Sequence, residues 1–203
     1  MDIILVALFS YLSGSIPFGF LVTKIFGKID VRNIGSGNIG ATNVLRTGNK
    51  FLAGVTLVLD ILKGYIPVFI SAKYFPELIE LSCILAFLGH LFPIWLKFKG
   101  GKGVATYVGI LAALSLQLFF LFAFTWLVIS LIFKYSSVSS MFASLTVFIV
   151  NFIKETFINS TEFLSSTGIV DSKILFIFFI LIIFTHRKNI SNLKNKNEKK
   201  IRI

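Results

Sequence analysis

The sequence predicts an all-α fold, a polytopic transmembrane helix bundle of about seven spans. Only 14% of the 203 residues are charged, roughly half of the share that soluble domains carry. The stretch 104–133 runs for 30 residues without Asp, Glu, Lys or Arg, whereas one span requires only ~20 apolar residues. Most of the chain must therefore face lipid or other apolar segments, and we expect one membrane domain over residues 1–203.

The apolar segments follow one another along the chain. Pro17 removes a backbone donor from the first of them, which predicts a kink there. We divide the long uncharged stretch near Ser115 because its small residues come early and its bulky ones late. Several segments are short, so five or six spans remain as alternatives. The predicted spans cover about residues 3–26, 51–74, 78–96, the two halves of 104–133, 141–153 and 174–185.

Basic residues are concentrated in alternate connections. With their flanks, loop one (27–50), loop three (97–103), loop five (134–140) and the tail (186–203) hold 16 Lys and Arg. The other connections, which include a polar one over 154–171, hold 3. The positive-inside rule places the basic loops and the C-terminus in the cytoplasm and the N-terminus outside. The same rule explains the net charge of +11, so we reject a nucleic-acid-binding class.

Loop one concentrates glycine with short polar residues and arginine. Three of its glycines match GxGxxG, but that fingerprint indicates a dinucleotide site only between a strand and a helix, and here the flanks are predicted spans. Glycines still let backbone N–H groups approach an anion, and Arg46 offers a fork suited to phosphate. A flexible connector is the alternative. The candidate binding residues are Gly35, Ser36, Gly37, Asn38, Gly40, Thr42, Asn43 and Arg46.

Loop three is also rich in glycine and lysine. It is not a Walker A loop, because Leu96 stands where the first glycine would be and Gly103 follows the lysine. Lysines and glycines that open a predicted helix at Val104 suit an anion, although simple anchoring by the positive-inside rule would give the same pattern. The candidate binding residues are Lys99, Gly100, Gly101, Lys102 and Gly103.

The remaining candidates are isolated polar residues. Ser137 in loop five offers a hydroxyl for substrate or for N-capping. His186 could bind phosphate, act as acid or base, or merely lie at the interface. Asp60 and Lys63 share a helix face within a span, which predicts a mutual ion pair, and His90 we expect to be packed. The single cysteine excludes a disulfide within the chain, and we expect no metal and no cofactor.

Taken together, these segments resemble the bacterial acyl-phosphate:glycerol-3-phosphate acyltransferases of the plasma membrane (the PlsY type). The resemblance covers nearly the whole chain in order, and the strings in loops one and three are highly specific. The matching segments are residues 13–19, 35–43 with Arg46, 60–64, 89–93, 97–106 and 186–190.

The resemblance implies seven spans and an active site that opens to the cytoplasm at the bacterial inner membrane. It implies transfer of a fatty acyl group from acyl phosphate to the 1-hydroxyl of sn-glycerol 3-phosphate, giving lysophosphatidic acid and phosphate in the first acylation step of phospholipid synthesis. Membrane lipid surrounds such a protein, and we expect it to function without a protein partner. Acyl-CoA-dependent enzymes often carry His-x4-Asp, but here Trp95 and Ser191 stand five residues after the two histidines.

By motif match, the phosphate and glycerol sites would be lined by Ser36, Arg46, Lys102, Ser137, His186 and Asn189. Of these, we predict catalytic roles for Ser36, His186 and Asn189. The tail departs from the family pattern, because Asn192 replaces an expected arginine and no glycine precedes Glu198. That departure questions the far tail but not His186 or Asn189. A transporter of phosphorylated solutes and a scaffold of an envelope complex are the competing classes.

Overall fold

A computed structural model of the chain describes residues 1–158 and 170–201, and these residues are helical with no strand. They confirm the all-α prediction. The helices are α1 Asp2–Ser15, α2 Phe18–Ile25, α3 Ala41–Leu45, α4 Lys50–Tyr74, α5 Ile79–Leu91, α6 Val104–Leu114, α7 Leu116–Phe133, α8 Ser136–Ile158, α9 Ser172–Thr185 and α10 Arg187–Lys194. The chain divides into two compact units, residues 1–113 (unit 1) and 114–203 (unit 2).

Four helical segments in the described residues are long and apolar enough to cross a membrane. They are Lys50–Tyr74, Pro76–Leu96, Leu116–Phe133 and Ser136–Phe157. The pairs α1/α2 and α9/α10 are bent by 42° and 54°, and counting each pair as one span gives six. The remaining apolar helix, α6, has only 11 residues. Multiple spans are thus supported, while the count of seven and the orientation stay predictions.

Pro17 breaks the first span as predicted, and unit 1 compensates the backbone groups that the break exposes. Lys63 Nζ donates to the Ile16 carbonyl oxygen at 2.7 Å. Pro67, one turn further along α4, has no N–H to donate to the Lys63 carbonyl. The Ser13 hydroxyl donates to that carbonyl instead, at 3.3 Å. Lys63 of α4 therefore donates to a carbonyl at the Pro17 break, and Ser13 of α1 donates to the carbonyl that Pro67 leaves without a donor.

Glycines let the helices of unit 1 approach closely. A Cβ on Gly14 of α1 would lie 2.0 Å from the Ala86 carbonyl oxygen of α5, and a Cβ on Gly109 of α6 would lie 1.9 Å from that of Ile61 in α4. No larger residue fits at either crossing without displacing backbone. Small residues at such crossings are how helices gain contact area where lipid removes the hydrophobic driving force.

In unit 2, the division near Ser115 is confirmed. Ser115 adopts an extended backbone (φ −162°, ψ 117°) and its side chain accepts from the Leu118 N–H as the N-cap of α7. The cap satisfies a donor that the new helix would otherwise leave open.

The predicted loop five is too long, because α8 begins at Ser136 rather than near Met141. The serines of this segment satisfy their hydroxyls within the helix: Ser139 donates to the Tyr135 carbonyl at 2.9 Å and Ser140 to that of Ser136 at 2.8 Å. A serine bonded to the carbonyl four residues earlier is compatible with a helix, so the polar composition was misleading. At its other end α8 extends through Ile158 into the predicted 154–171 connection, of which residues 159–169 lie outside the described part.

Within the predicted tail (186–203), residues 187–194 form α10. A left-handed residue, Lys196 (φ 59°), ends this helix. The Lys196 N–H donates to the Leu193 carbonyl and the Asn197 N–H to that of Asn192 at 2.7 Å, the pattern of a Schellman motif. This reversal turns the following residues back, and the Ile201 N–H reaches the Lys134 carbonyl at 2.7 Å.

Candidate active site

Loop one in unit 1 has a small hydrophobic core of its own. Val31, Ile39 and Val44 are at most 3% exposed although they lie in a polar, glycine-rich segment. They pack with buried residues from the adjoining elements, Val22, Leu52, Ala53 and Leu96. Burial of several aliphatic side chains fixes the path of the loop, which argues against the flexible-connector alternative.

The Asn43 side chain is the polar centre of loop one. It is 2% exposed, and its Nδ2 lies within hydrogen-bond distance of three loop carbonyls. These are the carbonyl oxygens of Val31 (3.0 Å), Ile34 (2.9 Å) and Asn38 (2.8 Å). An amide nitrogen carries two hydrogens, so three carbonyls share them. Asn43 therefore ties distant parts of the loop together, while its predicted contact with phosphate stays a prediction.

The oxygen of the same amide orients two predicted site residues. Asn43 Oδ1 accepts from the Ser36 backbone N–H at 2.9 Å and lies 3.4 Å from Arg46 Nη1. Gly35 is left-handed (φ 57°), and a Cβ there would lie 2.8 Å from Arg46 Cδ. The arginine thus lies over a position that only glycine can occupy. Ser36 is exposed, and its hydroxyl makes no hydrogen bond to the described residues, so it is open to a ligand.

A surface ion pair stabilises the entry to loop one. Asp30 accepts from the Arg32 backbone N–H at 3.0 Å and pairs with its guanidinium at 2.6 Å, and Arg32 also lies over the Phe20 ring. The hydrogen bond from the Arg32 side chain lowers the pKa of Asp30 to about 2. Arg32 is consequently engaged in local structure, which leaves Arg46 as the phosphate fork in this loop.

Loop three is pressed against the C-terminal end of α5. The Gly100 N–H donates to the Leu91 carbonyl at 3.0 Å and the Gly101 N–H to the His90 carbonyl at 3.1 Å. A Cβ on Gly100 would lie 2.1 Å from the His90 carbonyl oxygen, and one on Gly101 would lie 2.1 Å from His90 Nε2. These two glycines are therefore required by packing, whatever their role toward an anion.

Loop three also presents the predicted lysines at the start of α6. Gly103 is left-handed (φ 83°) and packs on Phe87, after which α6 begins at Val104. Lys99 is exposed and Lys102 is half-buried. Lys102 precedes the first residue of α6 by two positions, and the backbone N–H groups of a first helical turn favour an anion.

In unit 2, the tail brings a carboxylate to two predicted site residues. Ser137 Oγ donates to Glu198 Oε1 at 3.1 Å, and Asn189 Nδ2 donates to the same oxygen at 2.5 Å. Asn192 Nδ2 lies 3.4 Å from Glu198 Oε2. Glu198 was not among the predicted site residues, because the sequence around it departs from the family pattern. The Schellman turn at the end of α10 is what delivers it.

His186 lies at the bend between α9 and α10 and is 2% exposed. Its Nδ1 is 2.8 Å from the Ile182 carbonyl oxygen, which can only accept. This contact holds the proton on Nδ1 and makes Nε2 the basic nitrogen of the ring. The arrangement suits a general base, since the backbone of α9 fixes both the tautomer and the ring orientation.

The predicted site residues thus fall into two groups. The residues of loops one and three lie in unit 1, whereas Ser137, His186 and Asn189 lie in unit 2. A cavity of about 590 Å³ beside loop one contains none of them; it is lined by Thr23, Gly27, Ile29, Thr47, Gly48, Asn49, Lys50 and Leu52. Within the described residues, no cluster of three His, Cys, Asp or Glu side chains could hold a metal ion.

Comparison with known proteins gives the family. The family model described as "Glycerol-3-phosphate acyltransferase" matches residues 4–196. The chain belongs to this glycerol-3-phosphate acyltransferase family. The match spans both units, so the family resemblance drawn from the motif strings is confirmed.

Two relatives named glycerol-3-phosphate acyltransferase illustrate the similarity. The protein of Pelagibacter ubique (strain HTCC1062) is 53% identical over 100% of both chains. That of Mesorhizobium japonicum is 50% identical over 98% of this chain and 96% of its own. Both similarities extend over the two units of the chain.

A solved member of the family has the same fold. The crystal structure of PlsY (YgiH), described as an integral membrane glycerol 3-phosphate acyltransferase in its glycerol 3-phosphate form, is 34% identical with a TM-score of 0.87. The similarity covers 98% of this chain and 96% of that one. A second structure, in the lysophosphatidic acid form, aligns with a TM-score of 0.85. This glycerol-3-phosphate acyltransferase family member is therefore an integral membrane protein.

Glu198→Gln is expected to lower activity about tenfold by misorienting Asn189. Glutamine keeps one oxygen for these two donors, but it loses the negative charge that strengthens both hydrogen bonds and turns its NH2 group toward the Asn192 donor, which costs about 1–3 kcal/mol. Turnover of the purified variant would be measured against Glu155→Gln. Among the residues that the structure describes, Glu155 accepts from the Ser172 backbone N–H in the same unit. Equal activity of Glu198→Gln and the native chain would contradict the role of Glu198 in orienting Asn189.

Proposed function

We propose that this chain transfers a fatty acyl group from acyl phosphate to the 1-hydroxyl of sn-glycerol 3-phosphate, releasing phosphate and lysophosphatidic acid. The observation that carries the proposal is the full-length similarity to glycerol-3-phosphate acyltransferases, one of which is described in its glycerol 3-phosphate form. The acyltransferase class follows from the family. The acyl phosphate donor is the finer proposal, and the specific strings in loops one and three support it.

Unit 1 is proposed to bind phosphate groups. Arg46 offers two parallel N–H donors over Gly35, and Lys102 adds a point charge beside the start of α6. The open Ser36 hydroxyl adds a donor beside Arg46. Two anionic substrates repel each other, so cations held in place lower the barrier chiefly by positioning and screening. The other candidates of loops one and three hold these side chains in place, for example Asn43 through its amide and Gly100 and Gly101 through their hydrogen bonds to α5.

Unit 2 is proposed to supply the proton acceptor. The 1-hydroxyl oxygen attacks the acyl carbonyl carbon, and the bond from that carbon to the phosphate oxygen breaks, so that phosphate departs with the electron pair. His186 Nε2 takes the hydroxyl proton in one version, and a substrate phosphate oxygen takes it in the other. Ser137 and Asn189 share the Glu198 carboxylate next to this part of the chain and orient the substrate. The acyl chain lies in an apolar groove open to lipid.

The donor is tested with purified protein in lipid or detergent. Labelled glycerol 3-phosphate is supplied with acyl phosphate in one reaction and with acyl-CoA in another. We expect labelled lysophosphatidic acid with acyl phosphate alone. Product in the reaction with freshly purified acyl-CoA would overturn the acyl phosphate assignment. If folded protein gives no product with either donor, the acyltransferase function is overturned.

The membrane topology is part of the proposal. We place the chain in the bacterial inner membrane with seven spans and with loops one and three facing the cytoplasm, because basic residues cluster in these loops and in the tail. A reporter enzyme that is active only in the cytoplasm, fused after Ile203, is expected to be active. Activity of an extracytoplasmic reporter at the same position would reverse the orientation.

His186→Ala is expected to reduce turnover by about 10²-fold to 10⁴-fold, the usual contribution of a general base. The KM of either substrate should change far less, since the ring is proposed to act on the proton rather than on phosphate. His186→Asn is the matched variant, because it retains a donor for the Ile182 carbonyl without a base. Full turnover of both variants would leave the substrate phosphate as the proton acceptor.

A further inference from the structure

His90 and Thr106 form a buried pair in unit 1 that has no place in the proposed chemistry. Their exposures are 3% and 0%, and Thr106 Oγ1 lies 3.0 Å from His90 Nδ1. His90 belongs to the last turn of α5, and Thr106 to the first turn of α6. Loop three connects these two helices. The hydrogen bond therefore joins the two ends of loop three across 16 positions of sequence.

The His90 ring also supports the middle of loop three. The three atoms nearest to a Cβ built on Gly101 are all in this ring: Nε2 at 2.1 Å, Cε1 at 3.0 Å and Cδ2 at 3.1 Å. The Gly101 N–H donates to the His90 carbonyl, so residue 90 contacts the loop through both backbone and side chain. The residue that follows Gly101 is Lys102, the proposed phosphate ligand.

The other side of the pair is a charged cluster. Asp60 Oδ1 lies 4.0 Å from His90 Nδ1 and 2.8 Å from Lys63 Nζ, and Lys63 also holds the Ile16 carbonyl at the break of the first span. A Cβ on Gly64 would lie 2.2 Å from the Thr106 carbonyl oxygen. The pair is therefore closely packed between loop three and α4, and neither side chain has room to change rotamer freely.

We propose that His90 and Thr106 are positioning residues that hold loop three in its phosphate-binding conformation. The hydrogen bond between Thr106 Oγ1 and Nδ1 fixes the ring orientation in either tautomer, with Nε2 directed toward Gly101. The locked ring then fixes the backbone that carries Lys102. The inference rests on the proposed role of Lys102, and it gives a role to a buried histidine within the matching segment 89–93.

Two variants test the pair without leaving a large cavity. Thr106→Val keeps the size of the side chain but removes the hydroxyl, and His90→Asn keeps a partner for Thr106 but removes the ring atoms under Gly101. Ser82→Ala is the matched control. It removes a buried hydroxyl on α5 that pairs with Ser10 at 2.8 Å, away from loop three. Lys102→Met identifies which substrate's KM depends on the lysine.

We expect both variants to raise the KM of that same substrate about tenfold with a smaller change in kcat, because a lost buried hydrogen bond corresponds to roughly one decade in an equilibrium constant. Ser82→Ala should leave this KM unchanged. A fall in kcat alone, or an equal KM effect in the control, would overturn the inference.

Hydrogen exchange gives a readout that does not depend on activity. The amides of Gly100 and Gly101 should exchange about tenfold faster in Thr106→Val and His90→Asn than in Ser82→Ala. Unchanged exchange over residues 97–103 in both variants would overturn the inference even if the chain is an acyltransferase. Faster exchange in a protein that is inactive with either donor would support the positioning role and refute the proposed function separately.

Discussion

Asn43→Asp is expected to lower acyltransferase activity by more than about 100-fold. The substitution changes few atoms in size, but it replaces the Nδ2 donor with an oxygen that faces three carbonyl oxygens within 3.0 Å. Each buried carbonyl that loses its donor costs about 1–3 kcal/mol, and the new negative charge is repelled by all of them. Loop one should then open, so that the side-chain oxygen of residue 43 no longer accepts from both Arg46 and the Ser36 N–H.

Asn49→Asp is the matched control for this prediction. Asn49 caps α4 through its oxygen alone, which accepts from the Leu52 N–H at 3.0 Å, and aspartate is an equally good N-cap. The same chemical change, six residues along the same loop, should therefore leave activity within about twofold of the native chain, as expected for exposed substitutions. The kcat and both KM values of the two purified variants would be compared. Comparable losses in the two variants would show that negative charge near loop one, rather than the Asn43 bonds, is responsible.

The sequence predicted the fold class because hydropathy and charge act over whole segments. Pro17 was read correctly because proline lacks a backbone donor, and the division near Ser115 because small residues precede it and bulky ones follow. The N-cap that Ser115 provides is visible only in the structure. Loop five was predicted too long for the opposite reason. Serine composition indicates a loop on average, whereas Ser139 and Ser140 bond to carbonyls of their own helix, and no composition reveals that choice.

The sequence predicted candidate site residues from their motif segments, but it did not predict the contacts that these residues make. Asn43 was grouped with the phosphate ligands because it belongs to the specific string of loop one. Its hydrogen bonds to residues 5 to 12 positions earlier could not be predicted, because only the folded loop brings these residues together. Glu198 was missed since its approach to Asn189 depends on the left-handed backbone of Lys196, a residue type that seldom adopts that conformation. A chain reversal of this kind leaves little signal in a single sequence.

Lys63→Met is expected to destabilise the chain by about 3–5 kcal/mol, the cost of leaving one partner of a buried ion pair. Both side chains of the Asp60–Lys63 pair are 2% exposed, so neither charge can be rescued by water. The variant also removes the donor that holds the Ile16 carbonyl at the break of the first span. Unfolding in mixed detergent would report the loss of free energy. Lys73→Met, on the same helix with an exposed side chain, should stay within about 0.5 kcal/mol.

The double variant Asp60→Leu/Lys63→Met separates the two functions of the lysine. Replacing a whole buried pair by apolar residues is often neutral, so the electrostatic part of the loss should disappear. The Ile16 carbonyl still lacks its donor, which leaves about 1–3 kcal/mol of the loss in place. We therefore expect the double variant to lie between Lys63→Met and the native chain in stability. If it is as unstable as Lys63→Met, the lysine acts mainly as the donor to the Ile16 carbonyl at the broken span, and its ion pair with Asp60 contributes little to stability.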